Sequence, residues 1–352
     1  MTTGTTLNIA RIAATYAGTI MGAGFASGQE LTQFFVVYGS MGLAGLFVTG
    51  CLFCWLGIHI LELSYNMKAT SYHQLLYYVC GKRIGFLLDI IITLFLFGVL
   101  TIMLAGAGTL CQDTFNLPYV LGSVLMALCL TITTLYGLQG ITTANIIITP
   151  LLTVTIIIIG CFSLSHHQLG LTLLVSLPPQ TVDLPAPHWL LAGLLYLSYN
   201  LVMSAAVLAP LGPCIAQRSA RILGSIAGGL LLMLLAGLIT VVVMIHYPAS
   251  LNYEIPMLYI ASSQHSLHQT GFIVIFVTAI YTTGLASLYG CATKLTAATG
   301  FSTKRSLLVL ISLSLVFSHI GFSDLIAIIF PIFGYATLWF TCRLLYLSFF
   351  TK

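Results

Sequence analysis

The stretch "YAGTIMGAGFASGQELTQFF", residues 16–35, lies inside the first segment apolar enough to cross a bilayer, yet it carries Gly18, Gly22, Gly24, Gly28, Ser27, Gln29 and Glu30. A simple anchor would place leucine and valine there. Glycines this close together permit tight helix packing or local unwinding. Packing alone suits the Gly18/Gly22 pair and leaves the polar run that follows unexplained. An ionisable group at membrane depth is costly, so Glu30 is expected to face a cavity or a partner. Unwound backbone at that depth is tolerated only where it is buried in protein or lines a site. Broken helices also present free carbonyls, amides and helix-end dipoles, which suit an ion and a zwitterion. Glu30 nearer the outer end of the span would instead be a gate or a structural partner.

The rest of the chain sets the frame. Of 352 residues, 59% are hydrophobic and 5% charged, with a mean hydropathy of +1.07. A water-facing surface needs far more charge, so the chain reads as an all-α, multi-pass membrane protein forming a single transmembrane domain over 1–352. The net charge of +4 is scattered and indicates no nucleic-acid partner. The nine cysteines lie mostly in apolar stretches and read as buried, unpaired thiols. No cleaved leader is expected at the N-terminus.

About ten stretches reach the roughly 20 apolar residues that a 30 Å core requires. They lie near 8–37, 41–66, 83–111, 118–137, 140–163, 188–212, 220–246, 268–296, 305–321 and 323–349. With both termini cytoplasmic, Arg11, Lys68, Lys82, Arg83, Arg218, Arg221, Lys294, Lys304, Arg305, Arg343 and Lys352 all fall on one side. That is the positive-inside pattern, and it orients the spans with both termini cytoplasmic. Asp113, Asp183, Glu254 and Asp324 fall on the other side. So do His166, His167, His188, His246, His265, His268 and His319. They read as polar loop residues or as a pH sensor. "SYHQLLYYVCGKR", 71–83, reads as an amphipathic surface helix, and "EIPMLYIASS", 254–263, as a short helix over the outer mouth.

Span 6, "LLYLSYNLVMSAAVLAPLG" at 194–212, repeats the interruption of span 1 with Ser198, Tyr199, Asn200, Ser204 and Pro210. Spans 1 and 6 open two five-helix halves, 8–163 and 188–350. An odd number of spans per half inverts one half against the other. Broken first helices in both halves point to a site at the membrane midplane.

These two segments resemble the first and sixth spans of the YkvI-like bacterial membrane proteins, and the resemblance covers nearly the whole chain. That family is placed in the amino acid–polyamine–organocation superfamily. The resemblance implies the LeuT-type fold, a 5+5 inverted repeat with helices 1 and 6 broken. It further implies secondary transport through a site between spans 1, 3, 6 and 8. In sodium-coupled members a cation lies between span 1 carbonyls and an Ala-x-x-Thr-Ser/Thr pattern on span 8. Span 8 here reads "TAIYTTGLASLYG", 278–290, with Ala279, Thr282 and Thr283 on one helix face. Aligning Gly22 and Gly24 makes Gly18 and Met21 the matching carbonyl donors. The competing reading is that both threonines bond back to their own helix. Span 5 offers no lysine to mimic sodium. Phe25 and Gly28 replace polar residues of the neurotransmitter transporters, so their second cation site is not expected.

The function expected is alternating-access transport of a small amino acid or related zwitterion or amine, coupled to Na+. Proton coupling and a non-transporting, germinant-receptor-like sensor are the alternatives. Substrate contacts are assigned to Gly22, Gly24, Phe25, Ser27, Gln29, Glu30, Tyr199, Asn200, Ser204 and Tyr281, with freed amides of spans 1 and 6 receiving a carboxylate. Glu30 remains open between substrate contact, gate and structural partner. Elsewhere, His59 and Glu62 stand one turn apart as an interfacial pair, Asp89 reads as a cytoplasmic gate or structural partner, and Asn145 with Pro150 marks a bend in span 5. No nucleotide loop, zinc spacing or nucleophile elbow appears, so no enzymatic activity, obligatory protein partner or cofactor beyond the ion is expected.

Overall fold

The computed structural model describes residues 3–136, 141–166 and 184–350. His167, Asp183 and Lys352 lie outside these, as does the side chain of Asn145. Span 1 is divided into α1 (Thr3–Ile20), α2 (Ala23–Ser27) and α3 (Gln29–Phe34). Then follow α4 (Ser40–Met67), α5 (Tyr72–Phe115), α6 (Tyr119–Tyr136) and α7 (Ile141–His166). The second half contains α8 (Trp189–Leu211), α9 (Arg218–Ile245), α10 (Pro256–Gln264), α11 (Ser266–Thr299), α12 (Thr303–Ser318) and α13 (Phe322–Phe350). Seven of these helices are long and apolar enough to cross a membrane by themselves, and α6 is a shorter apolar one. With the divided first span and the 16-residue α12 they match the ten stretches read from the sequence. The expected surface helix runs into span 3 as part of α5, and Gly81 at φ 76° marks the kink between them.

The breaks in span 1 follow from its glycines. The Gly22 amide, the normal partner of the Gly18 carbonyl, turns instead to Ile20 O at 2.8 Å. Gly28 adopts φ 78°, a left-handed conformation that costs a glycine almost nothing. Span 6 departs from expectation, because α8 is one continuous helix from Trp189 to Leu211. Its polar side chains bond to their own helix: Ser198 Oγ donates to Leu194 O at 2.6 Å, Asn200 Nδ2 to Tyr196 O at 3.0 Å and Ser204 Oγ to Asn200 O at 2.7 Å. In lipid a side chain that satisfies itself this way leaves the helix intact. Pro210 falls in the last turn, so the chain bends only after the span is complete.

Two groups of helices result. In the first, α1 packs into the groove between α4 and α9, and α8 closes the set. Gly57 and Gly228 admit the Tyr16 ring: a Cβ on either would stand within 3.0 Å of it. In return Tyr16 Oη donates to Phe53 O at 2.9 Å. The second group joins α5, α6, α11 and α12, while α7 and α13 touch both groups. The four ion pairs among the described residues lie at the end of the molecule that carries the basic residues, and each stays within one group. In the first, Glu62 Oε1 accepts from Arg221 Nε at 2.8 Å. The Arg221 guanidinium also donates to Ile215 O and Ala216 O and stacks on Tyr65. In the second, Lys294 Nζ reaches Asp89 Oδ2 at 2.7 Å, and His73 lies 3.3 Å from the same carboxylate. Asp89 is therefore a structural partner inside one helix group. His59 stacks on Trp55, while Glu62 turns to the arginines.

Arg221 is 3% exposed and Arg218, Glu62's second partner at 3.3 Å, is 76% exposed. Replacing Arg221 with alanine removes the buried partner of the half-buried Glu62 carboxylate and is expected to cost about 3 kcal/mol of unfolding free energy in detergent. Arg218→Ala is expected to cost less than about 1 kcal/mol. Equal losses in denaturant titrations of the two variants would contradict this division.

Candidate substrate site at the broken first span

Gly28 turns the chain so that α3 carries Glu30 back toward α2. The carboxyl group is 4% exposed. Its Oε1 accepts the Tyr199 hydroxyl from α8, and Asn200 of the same helix stands beside it. Its Oε2 lies over Gly24, where a Cβ would stand 2.7 Å away and would also touch the Phe330 ring. A side chain at Gly24 would thus push the carboxylate out of place. Among the described residues no lysine or arginine pairs with Glu30, since the four ion pairs use Glu62 and Asp89.

Aromatic rings form the wall. Tyr199 stacks on Phe330 of α13 with centroids 5.1 Å apart and planes 3° from parallel. Phe34 and Phe95 lie 5.8 and 5.9 Å from Tyr199, and Tyr196 lies 5.6 Å from it. The Tyr196 hydroxyl is buried with no hydrogen-bond partner among the described residues. The neighbouring cavity, lined by Phe25, Phe35, Phe53 and Tyr196, measures about 10 Å³, space for one water. The site is closed.

Toward the end opposite the ion pairs, α10 roofs this region, with Met257 Cγ packed on Gly28. Glu254, just before α10, caps the start of α13 by accepting from Phe322 N at 2.7 Å and Ser323 N at 3.4 Å. It also accepts from Thr109 of α5 at 2.9 Å. Gln29 Nε2 donates to Ser323 Oγ. One hydrogen-bonded chain therefore joins α3, α13, the segment before α10, and α5.

The structure brings together Gly24, Glu30, Tyr199 and Asn200, with Phe25 on the adjoining cavity. It uses other sequence candidates differently. Ser27 Oγ donates to Gly24 O at 2.7 Å and accepts from Gln29 N at 3.1 Å, so it stabilises the turn at Gly28. Ser204 is spent on its own helix. Tyr281 is directed away from Glu30: its hydroxyl pairs with Thr133 of α6 at 2.7 Å, and it lines an open crevice of about 390 Å³ between α5, α6 and α11. Phe34, Phe95, Tyr196, Phe330 and the Glu254–Thr109 contact were not among the sequence candidates. Tyr196 alone carried a signal, standing one turn before Tyr199.

At the cation locus α11 faces the break after α1. Thr283 Oγ1 lies 3.5 Å from where a Gly22 Cβ would stand. The Thr282 hydroxyl donates to Thr278 O at 3.1 Å and Ala279 O at 3.3 Å, which leaves its oxygen lone pairs available. Ala279 is buried beside it. Gly18 packs against Thr149 of α7, while its carbonyl and Met21 stand at the break. Hydroxyl and carbonyl oxygens of this kind fit a small hard cation.

No family model matches the chain. It is 28% identical over 343 residues to the membrane protein YkvI of Bacillus subtilis (strain 168), covering 95% of this chain and 94% of that one. It is also 28% identical over 335 residues to the protein YyaD of the same strain, covering 94% of each. Among solved structures, the inward-facing conformation of Mhp1 superposes with a TM-score of 0.61 at 17% identity, over 88% of this chain and 69% of that one. A substrate-bound, outward-open Na+-coupled sialic acid symporter gives 0.62 at 14% identity, over 98% and 79%. The Eremococcus coleocola manganese transporter gives 0.59 at 14% identity, over 97% and 78%. The homologues of this chain are thus the membrane protein YkvI and the protein YyaD, and its fold is the LeuT-type fold of Mhp1 and the sialic acid symporter.

Proposed function

We propose that the protein is a secondary transporter of the bacterial inner membrane. It moves a small amine-bearing solute, an amino acid or related zwitterion or amine, by alternating access coupled to sodium. The observation that carries this reading is the buried Glu30, held at the broken first span where the two helix groups meet and walled by rings from both. α8 supplies its polar contacts, Tyr199 and Asn200, from one group, α5 supplies Phe95 from the other, and α13 supplies Phe330. Movement of one group against the other opens the closed site to either side in turn. The two halves, 8–163 and 188–350, are proposed as the inverted repeats, with both termini cytoplasmic on the strength of the basic-residue pattern. Sodium is assigned to the carbonyls of Gly18 and Met21 with Ala279, Thr282 and Thr283. Bound there, it would fix the distance between α11 and the α1 break, and so couple ion occupancy to closure.

Two measurements check this. Purified protein in proteoliposomes should show saturable counterflow of at least one amino acid or amine. A ligand that binds and is never exchanged would make the protein a sensor. In thermal melts, sodium should stabilise the wild type more than potassium does, and Thr282→Ala/Thr283→Ala should remove the difference. Equal stabilisation of that variant would displace the ion from this locus.

A further inference from the structure

We infer that the substrate is an organic ammonium ion without a carboxylate, and that Glu30 supplies its counter-charge; this rests on the transport reading above. The argument is one of charge and available partners. A carboxylate as buried as Glu30 needs a cation or a proton, and no basic side chain among the described residues provides one. The surroundings suit an ammonium group. Tyr199 and Phe330 offer ring surface beside the carboxylate, with Phe34 and Phe95 near them. Cations are attracted to such faces, most strongly where water is excluded. The orphaned Tyr196 hydroxyl adds an oxygen acceptor inside the same wall, which an ammonium N–H satisfies.

A substrate carboxylate meets a receptor that the protein's own carboxylate already covers. The receptor expected for it was the set of amides freed by breaks in spans 1 and 6. Span 6 is unbroken, so its amides are consumed by the helix, and Ser198, Asn200 and Ser204 donate to their own backbone. At span 1 the Gly22 amide is bonded to Ile20 O, the Gln29 amide to Ser27 Oγ, and the Gln29 side chain to Ser323; what remains is the first turn of α2, Ala23 to Phe25, where Glu30 Oε2 already stands over Gly24. The space over Gly24 is already filled by the protein's own carboxylate. A zwitterion would place its negative end against Glu30 in a water-poor pocket, and like charges there repel. Glu30 thus occupies the place an amino acid's carboxylate would take.

The test uses pairs of compounds that differ only in the carboxylate: 3-methylbutylamine with leucine, 2-phenylethylamine with phenylalanine, and ethanolamine with serine. Calorimetry on the full-length protein in detergent, with sodium present, measures binding. At least one amine should bind about tenfold or more tighter than its amino acid, and Glu30→Gln should weaken that amine by at least a similar factor. Glu30→Asp, which keeps the charge, should retain part of the binding and guards against misfolding of the glutamine variant. An amino acid that binds as tightly as its amine, an amine whose affinity is unchanged in Glu30→Gln, or six compounds that all fail to bind would each overturn the inference. Counterflow separates it from the transport reading. Exchange of an amino acid but not its amine retains the transporter and rejects the ammonium substrate. An amine that binds through Glu30 and is never exchanged does the reverse.

Discussion

A carboxylate cannot be buried among apolar helices unless the chain around it is shaped to hold it, and most of the central architecture answers to Glu30. Its side chain turns back on its own span because Gly28 takes a left-handed conformation. It can lie there because Gly24 has no Cβ. It is held by a hydroxyl from α8, so α3 and α8 keep one fixed register. Desolvating a carboxylate costs several kcal/mol, and a hydrogen bond to it returns only about 1.5–3 kcal/mol. The balance must come from a proton or a cation, and in the proposed reading it is a cation that arrives from outside the chain.

The first span was legible in the sequence because glycine, serine, glutamine and glutamate have no other reason to cluster in an apolar segment. The ten-stretch frame and the short helix at 254–263 were legible for a similar reason, since basic residues and polar breaks stand out against an apolar background. Span 6 was misread on the same signal. Ser198, Asn200 and Ser204 look like an interruption when only residue types are compared, yet each pays its polar cost by bonding one turn back. A row of letters does not say whether a hydroxyl serves a ligand or its own helix. The aromatic wall could not be seen at all. Phe95 and Phe330 come from α5 and α13, and in spans already rich in phenylalanine neither differs in type from one that faces lipid. Tyr281 shows the reverse error: its spacing beside the threonines was right for the site, but its position on α11 directs it to Thr133.

The distribution of strong and weak contacts bears on how such a molecule moves. Every ion pair among the described residues lies inside one helix group: Glu62 with Arg218 and Arg221 between α4 and α9, and Asp89 with Lys294 and His73 in α5 and α11. Across the groups the contact is ring packing, as at Tyr199–Phe95. Breaking a largely buried pair such as Glu62–Arg221 costs about 3–5 kcal/mol, whereas an aromatic pair contributes about 0.5–1.5. An arrangement with the ion pairs between the groups would lock them. The one observed makes each group stiff and leaves their interface the weaker seam. In the proposed cycle, the interactions that must be exchanged at every turn are then the ones a bound ion and a small ligand have enough binding energy to offset.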